Sequence, residues 1–203
     1  VALSFVQRAE DIDELKSLIG NNARIMAKIE MPNAVNRLDG ILEKVDGLMV
    51  ARGDLGVEMP LEEVPAVQKR IVRRCRDEGK IVVVATQMLE SMTQNNTPTR
   101  AEVSDVANAT YEGADTLMLS AETAAGNYPV EAVQVMARVI SRVESSSSWK
   151  PLMDARRPTS AENIGDGITL GAYQISDSLD IGAVVTFTSS GSTAMRMSRQ
   201  RPL

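Results

Sequence analysis

Histidine is absent from this chain of 203 residues, and cysteine occurs once, at Cys75. The lack of histidine excludes Ser-His-Asp and Cys-His catalysis, and it excludes any metal site built on imidazole. A metal ion would need oxygen ligands, which Mg²⁺ and Mn²⁺ prefer. The single cysteine excludes a disulfide within the chain and suits a reducing compartment.

Aromatic residues and long apolar runs are also scarce. Aromatics make up 3% of a chain that is 43% hydrophobic, so we expect an aliphatic core rich in methionine. No apolar run approaches the roughly 18 residues of a membrane span, and the abrupt start at Val1 carries no signal-peptide pattern. The net charge of −5 argues against nucleic acid as the main partner. These features predict a cytoplasmic protein that has neither a membrane nor a nucleic acid as partner.

Short apolar runs alternate with segments of helical period over the first two thirds of the chain. Thr99 with Glu102 forms a capping box, and Gly113 stands where a helix should end. The runs are apolar on both faces, which is typical of parallel strands covered by helices. Both an open doubly wound sheet and a (β/α) barrel fit, but no GxGxxG or Walker loop follows a strand, which weakens the first alternative. The predicted strands are 1–7, 23–30, 46–52, 80–87 and 114–122.

The alternation stops after residue 144. The stretch "SSSSWKPLMDARRPTS" (145–160) is rich in Ser, Pro and Arg and predicts a linker. Residues 161–203 then contain a helical segment, a predicted strand "GAVVTFT" (182–188) and a second helical segment. The chain begins inside one strand and stops soon after another, so we expect it to be part of a longer protein, with domains at 1–144 and 161–203.

Polar side chains follow the predicted strands at their carboxyl ends, where functional groups of parallel sheets and barrels gather. Lys28 and Glu30 are two residues apart, so they share one face of a strand. Glu30 and Asp54 reach the same edge from neighbouring strands and could bind a divalent cation. Lys28 could neutralise charge on a transferring anion. A structural ion pair between Lys28 and Glu30 is the alternative.

Four stretches of the chain carry a family resemblance: "MAKIEMPNAV", "DGLMVARGDLGVEMP", "VVVATQMLESM" and "PTRAEVSDVANATYEGADTLMLSAETAAGNYPVEAV". They closely resemble the second half of the barrel of bacterial-type pyruvate kinases, through about residue 144. The tail "VVTFTSSGSTAMRMSRQRP" resembles the start of that family's C-terminal domain. The resemblance implies an α/β fold, namely a partial TIM (β/α)8 barrel with about strands 4–8, followed by the beginning of an α/β C-terminal domain.

The resemblance also implies an activity, which is phosphoryl transfer from phosphoenolpyruvate to ADP in glycolysis to give pyruvate and ATP. Glu30 and Asp54 are then expected to bind Mg²⁺ or Mn²⁺. Lys28 is expected to be catalytic and to stabilise the phosphoryl group in flight.

The remaining site residues are likewise carried over from the family. Arg52, Gly53 and Asp54 open a turn whose backbone N–H groups are expected to bind the substrate carboxylate. Thr86 is expected to be catalytic, near the methylene carbon where the enolate is protonated, and Ser120 to belong to the same proton network. By the same resemblance, these five residues and Lys28 are the candidate substrate-binding residues.

The loop "TSSGST" (188–193) has two interpretations. By resemblance, Thr188, Ser190, Gly191 and Thr193 form an effector-phosphate site, because small hydroxyl residues around a glycine suit a phosphate cradle. An ordinary Ser/Gly turn explains the same residues.

A closed barrel needs eight strands, and this chain offers five. By resemblance, the K⁺ ligands and the groups that bind the nucleotide lie outside this chain, and the full-length enzyme is a homotetramer. We therefore expect the isolated chain to be inactive as a kinase. Two alternatives remain open: an Mg-dependent aldolase or lyase acting on a pyruvate enolate, and a fragment with no catalytic role.

Overall fold

A computed structural model of the chain describes residues 1–155, 157, 163–179 and 181–202. It divides into two compact units, Val1–Lys150 and Pro151–Leu203. The first unit contains a sheet of five parallel strands. The strands are β1 (Ala2–Leu3), β2 (Met26–Ile29), β3 (Gly47–Ala51), β4 (Ile81–Ala85) and β5 (Thr116–Met118).

Helices connect these strands and cover one face of the sheet. In the first unit they are α1 (Ala9–Ile19), α2 (Pro32–Asn36), α3 (Leu38–Lys44), α4 (Arg52–Glu58), α5 (Val64–Asp77), α6 (Arg100–Glu112), α7 (Ala121–Ala124) and α8 (Pro129–Glu144). Short 3₁₀ turns at Leu61–Glu63 and Glu90–Thr93 precede α5 and α6. Among the described residues, no helix is both long and apolar enough to cross a bilayer.

The order of the strands separates the two folds that the sequence allowed. Each strand pairs with the next one along the chain, in the order β1-β2-β3-β4-β5. In a doubly wound sheet the spatial order of the strands reverses at a switch point. In a barrel each strand lies beside the one that follows it in the sequence. The observed order therefore confirms the partial (β/α) barrel.

Side-chain alternation along the strands produces two different apolar layers. The layer under the helices contains fully buried residues of the three central strands, among them Ile29, Leu48 and Val84. The opposite face carries a smaller cluster of Met49, Val83 and Ala85. Burial of each large aliphatic side chain contributes about 1.5–3 kcal/mol, so the helix-covered layer supplies most of the stability of this unit.

Two local signals in the sequence are confirmed at helix α6. The Thr99 hydroxyl accepts the Glu102 N–H, and the Glu102 side chain accepts the Thr99 N–H, which completes the capping box. Gly113 ends the helix with φ of 91°, where an added Cβ would lie 2.1 Å from a side-chain nitrogen of Arg76. The positive φ therefore favours glycine there, and a Cβ would in addition require the Arg76 side chain to shift.

The second unit contains α10 (Ile164–Ser178) and α11 (Ser192–Arg199), and α9 (Trp149–Ala155) crosses the boundary between the units. Tyr173 is buried, donates its hydroxyl to Asp154 Oδ1 at 2.9 Å, and stacks under the Arg157 guanidinium. Helix α9 lies inside the predicted linker 145–160. Residues 156 and 158–162, which belong to the end of that linker and the start of the predicted second domain, lie outside the described residues.

The prediction of a strand at residues 182–188 is wrong. These residues form neither a strand nor a ladder with any other described residue. Val185 is 92% exposed and Phe187 is fully exposed. A strand is stable only beside a partner that takes its backbone hydrogen bonds, and the described part of this unit supplies none.

Candidate active site at the carboxyl ends of the strands

Strand β2 ends in a lysine and a glutamate that lie side by side. Alternation directs Ile29 into the helix-covered core and places Lys28 and Glu30 on the opposite face. Lys28 Nζ lies 2.5 Å from Glu30 Oε1 and donates to Ser4 Oγ at 3.1 Å. The ammonium is thereby held at the strand end, and its side chain keeps 25% of its surface exposed.

Glu30 is 1% exposed, yet it retains one carboxylate oxygen without a hydrogen bond. Its Oε2 accepts the Phe5 N–H at 2.6 Å, which ties the end of β2 to the segment after β1. Its Oε1 is buried and has no hydrogen-bond partner among the described residues; its contact with Lys28 is an ion pair only. One carboxylate oxygen is thus held by a backbone amide and the other faces an ammonium, so a divalent cation would share Oε1 with Lys28.

Asp54 offers a second carboxylate from the neighbouring strand. Strand β3 passes directly into α4, so Asp54 lies in the first turn of that helix, three residues after the strand ends. Its side chain is exposed. In the described part of the chain, no cluster of three or more acidic or cysteine side chains converges on one point. Binding of a metal ion by Glu30 and Asp54, with substrate oxygens and water completing the coordination, therefore stays a prediction.

The ends of β3 and β4 meet through Thr86. The Gly53 N–H donates to Thr86 Oγ1 at 2.7 Å, and the Thr86 hydroxyl donates to the Ala85 carbonyl at 2.6 Å. Thr86 and Gln87 have φ of 71° and 53°, although neither is glycine. A left-handed conformation costs a non-glycine residue about 1–2 kcal/mol, so its surroundings must impose it.

The Arg52 guanidinium is bound to the chain that follows β4. Its Nη2 lies 2.7 Å from the Thr86 carbonyl oxygen and 3.3 Å from the Gln87 carbonyl oxygen, and its Nη1 lies 2.7 Å from Asp105 Oδ1. The side chain is only 11% exposed. The Arg52 guanidinium is therefore committed to protein groups, and binding of a substrate by its backbone N–H stays a prediction.

The end of β5 is organised by a carboxylate to which the sequence assigned no role. Glu122 is fully buried, and its Oε2 accepts the Ser120 N–H at 2.7 Å. Its Oε1 accepts the Leu89 N–H at 3.1 Å, which joins β5 to the segment that follows β4. The position of Glu122 in the polar end "SAE" was visible in the sequence, but its burial was not.

The structure thus brings the first-unit candidates to the ends of four adjacent strands. Lys28 is the penultimate residue of β2 and Glu30 follows that strand, Gly53 and Asp54 follow β3, and Thr86 follows β4. Ser120 follows β5 and precedes α7.

The loop 188–193 belongs to the second unit and is closed by its own hydroxyl groups. The Gly191 N–H donates to Thr188 Oγ1 at 3.1 Å, and Ser190 Oγ donates to Ser192 Oγ at 3.0 Å. Gly191 has φ of 81° and precedes helix α11, in whose first turn Thr193 lies. These contacts form an ordinary Ser/Gly turn, and phosphate binding at this loop stays a prediction.

Comparison with known proteins agrees with this geometry. A family model described as "Pyruvate kinase, barrel domain" matches residues 1–133. The chain is 54% identical over 202 residues to a pyruvate kinase of Methylorubrum extorquens, and 52% identical over 202 residues to one of Agrobacterium vitis. Each match covers 100% of this chain and 42% of the relative. A pyruvate kinase of Bacillus licheniformis is 50% identical over 206 residues, with 35% of its length covered.

The chain therefore spans less than half the length of these relatives. The family model covers well over half of the 203 residues, and the matched range lies within the unit that holds the parallel sheet. The chain belongs to the pyruvate kinase family.

Proposed function

We propose that this chain supplies the metal-binding and enolate-binding half of a pyruvate kinase active site. The reaction is phosphoryl transfer from phosphoenolpyruvate to ADP, which yields pyruvate and ATP. Family membership supports the reaction. The observation that carries the proposal for this chain is the ion pair between Lys28 and the buried Glu30 at the carboxyl end of β2, the sheet edge at which Asp54 and Thr86 follow β3 and β4.

Glu30 and Asp54 would hold Mg²⁺ or Mn²⁺. When bound, the cation supplies positive charge that neutralises the carboxylate and phosphoryl oxygens of the substrate. The fixed carboxylate of Glu30 and the exposed carboxylate of Asp54 supply two of the oxygen ligands.

Lys28 binds the phosphoryl group as it moves between the two oxygens. Its ammonium is held by Ser4 and Glu30, so it is oriented before the substrate arrives. Stabilisation of developing charge by a group that need not reorganise is the main catalytic contribution expected in phosphoryl transfer.

Gly53 and Thr86 orient the substrate carboxylate and the methylene carbon. Arg52, Gly53 and Asp54 form the first turn of α4, and the backbone N–H groups of a first helical turn stabilise a nearby negative charge. The Gly53 N–H binds Thr86 Oγ1 in this structure, so an arriving carboxylate exchanges with that hydroxyl. Thr86 follows β4 and Ser120 follows the neighbouring strand β5, and the two would orient the water that delivers the proton to the methylene carbon.

The same proposal includes the parts of the enzyme that this chain does not carry. K⁺ and the nucleotide bind to groups outside it, the full-length protein is a cytoplasmic homotetramer, and the isolated chain does not phosphorylate ADP. Strands β1 and β5 form the edges of the five-stranded sheet, and a closed barrel would pair both of them.

The proposal is tested by the enolate half of the reaction, which needs no nucleotide. The methyl protons of pyruvate are followed by ¹H NMR in D₂O with Mg²⁺ and the purified chain. We expect deuterium exchange above the rate with Mg²⁺ alone, and its loss in Glu30→Gln. Glu62→Gln, which removes an exposed carboxylate outside the site, is the matched control and should exchange normally. A folded wild-type chain that gives no exchange would contradict the proposal.

A further inference from the structure

The segment that follows β4 has a backbone conformation that its own residues disfavour. Thr86 and Gln87 both have positive φ, and threonine is β-branched, which makes that region especially unfavourable for it. Both residues carry a Cβ, so neither reaches positive φ without the steric cost that glycine avoids. The conformation must therefore be imposed by contacts from other parts of the chain.

Arg52 supplies those contacts on the carbonyl side of the segment. Successive carbonyl groups point the same way in a helical turn of either hand, but they alternate along a strand. The turn at Thr86 and Gln87 therefore presents two carbonyl oxygens together, and one guanidinium binds both, with Nε also 3.2 Å from the Thr86 oxygen. Asp105, which lies on helix α6, forms an ion pair with the guanidinium and orients it.

Glu122 supplies a contact on the amide side. Its buried carboxylate accepts the Leu89 N–H with one oxygen and the Ser120 N–H with the other. A buried carboxylate is tolerated only where hydrogen bonds satisfy it, so the two amides and the carboxylate depend on one another. The segment 86–89 is thereby held between a cation that follows β3 and an anion that follows β5.

We infer that Arg52 and Glu122 are positioning residues that hold Thr86 in its left-handed conformation and its hydroxyl against the Gly53 N–H. The inference rests on the proposed function in one respect, because it assigns Thr86 a contact with the substrate. Arg52 acts through Thr86 and does not contact the substrate, since its guanidinium is committed to the protein and almost entirely covered.

Arg52→Lys is the direct test, because it keeps the charge and removes the fork that binds two carbonyls at once. In NOESY spectra of the ¹³C,¹⁵N-labelled wild-type chain, Thr86 and Gln87 should each show a strong cross-peak between their own HN and Hα protons, because a positive φ brings these two protons close together. In Arg52→Lys both residues should lose it, and Glu122→Gln should shift the Leu89 and Ser120 amide resonances. Arg74→Lys, which changes a surface arginine paired with Asp39 and Glu78, is the matched control. Unchanged Thr86 and Gln87 signals in Arg52→Lys would overturn the inference.

Gln87→Gly tests the inference by rescue. Glycine adopts positive φ without strain, so in the Arg52→Lys background it should restore the Thr86 signals toward those of the wild type. It should also recover Mn²⁺-dependent oxalate binding, which we expect Arg52→Lys to weaken by about tenfold, since misplacing a binding group by a fraction of an ångström has effects of this order. A purely stabilising role for Arg52 predicts no such rescue.

Gln87→Gly alone keeps the test decisive if Arg52→Lys does not fold. Relief of strain should raise the denaturation midpoint of the otherwise unchanged chain, and a lowered midpoint would contradict the inference. The two proposals fail separately. If the wild-type chain binds no oxalate, the proposed function fails, while the cross-peaks of Thr86 and Gln87 still decide whether Arg52 holds the segment.

Discussion

Similar apolar sequences have different structures in the two units of this chain. In the first unit, the run "GLMVA" is buried along its whole length as β3, with a paired strand on each side. In the second unit, the comparably apolar run "GAVVTFT" has no paired strand among the described residues, and Phe187 is fully exposed. Apolar composition and β-propensity alone therefore do not produce a strand; neighbours that accept its hydrogen bonds and cover its faces are also required.

The largest expected effect comes from comparing one substitution in each run. Leu48→Ala removes a fully buried side chain from the central strand and should lower the free energy of unfolding by about 2–5 kcal/mol. Val185→Ala changes a side chain that is 92% exposed and should alter it by less than about 0.5 kcal/mol. Urea denaturation followed by circular dichroism measures both. Equal effects of the two substitutions would remove the contrast between the units.

Hydrogen exchange sharpens the same contrast along the backbone. The amides of β3 and β4 are paired within the sheet and should exchange at least about a hundredfold more slowly than those of 182–188. Mass spectrometry of peptides from the two runs, after timed exposure to D₂O, gives the ratio directly. Comparable protection of residues 182–188 would mean that they form a ladder in solution.

The smallest effect concerns a carboxylate that joins two elements of the first unit. Burial would raise the pKa of Glu102, but hydrogen bonds from Ser91 and Thr99 outweigh it, so the pKa lies below the ordinary glutamate value. A lowered pKa in the folded state contributes stability above the unfolded-state value, and this contribution is lost as the pH falls through the folded-state value.

Glu102→Gln should therefore cost about 1 kcal/mol at neutral pH, and the cost should shrink as the pH falls below about 4. Denaturation midpoints of the wild type and the variant, measured across that range, test this expectation. A cost that does not change with pH would show that the charge of Glu102 is not what stabilises the cap.

Local features of this chain were predictable because they depend on neighbours in the sequence. The capping box at Thr99, the glycine at the end of α6 and the five apolar runs all follow rules that span a few residues. The wrong strand at 182–188 followed the same rules, but its outcome depends on pairing with distant residues. The family and the partial barrel were also predictable, because long motifs of the chain lie in the family's order.

The contacts that organise the site were not predictable from the sequence. Arg52 binds the Thr86 carbonyl across 34 residues, and Glu122 binds the Leu89 amide across 33. The positive φ of Thr86 has no local signal either, because it arises from those contacts and not from a glycine or asparagine. Residue types at the strand ends indicated which groups gather there, whereas only the fold shows which of them bind one another.

The central claim is that five strands suffice to build the metal and enolate site. Binding of Mn²⁺ to the purified chain, measured by electron paramagnetic resonance with and without oxalate, tests it most directly, because oxalate presents the oxygens of enolpyruvate. We predict that oxalate strengthens the binding and that the double variant Glu30→Gln, Asp54→Asn abolishes it. The control variant Glu62→Gln, Glu63→Gln, which changes two exposed carboxylates, should bind normally. A folded chain that binds no Mn²⁺ in the presence of oxalate would contradict the account.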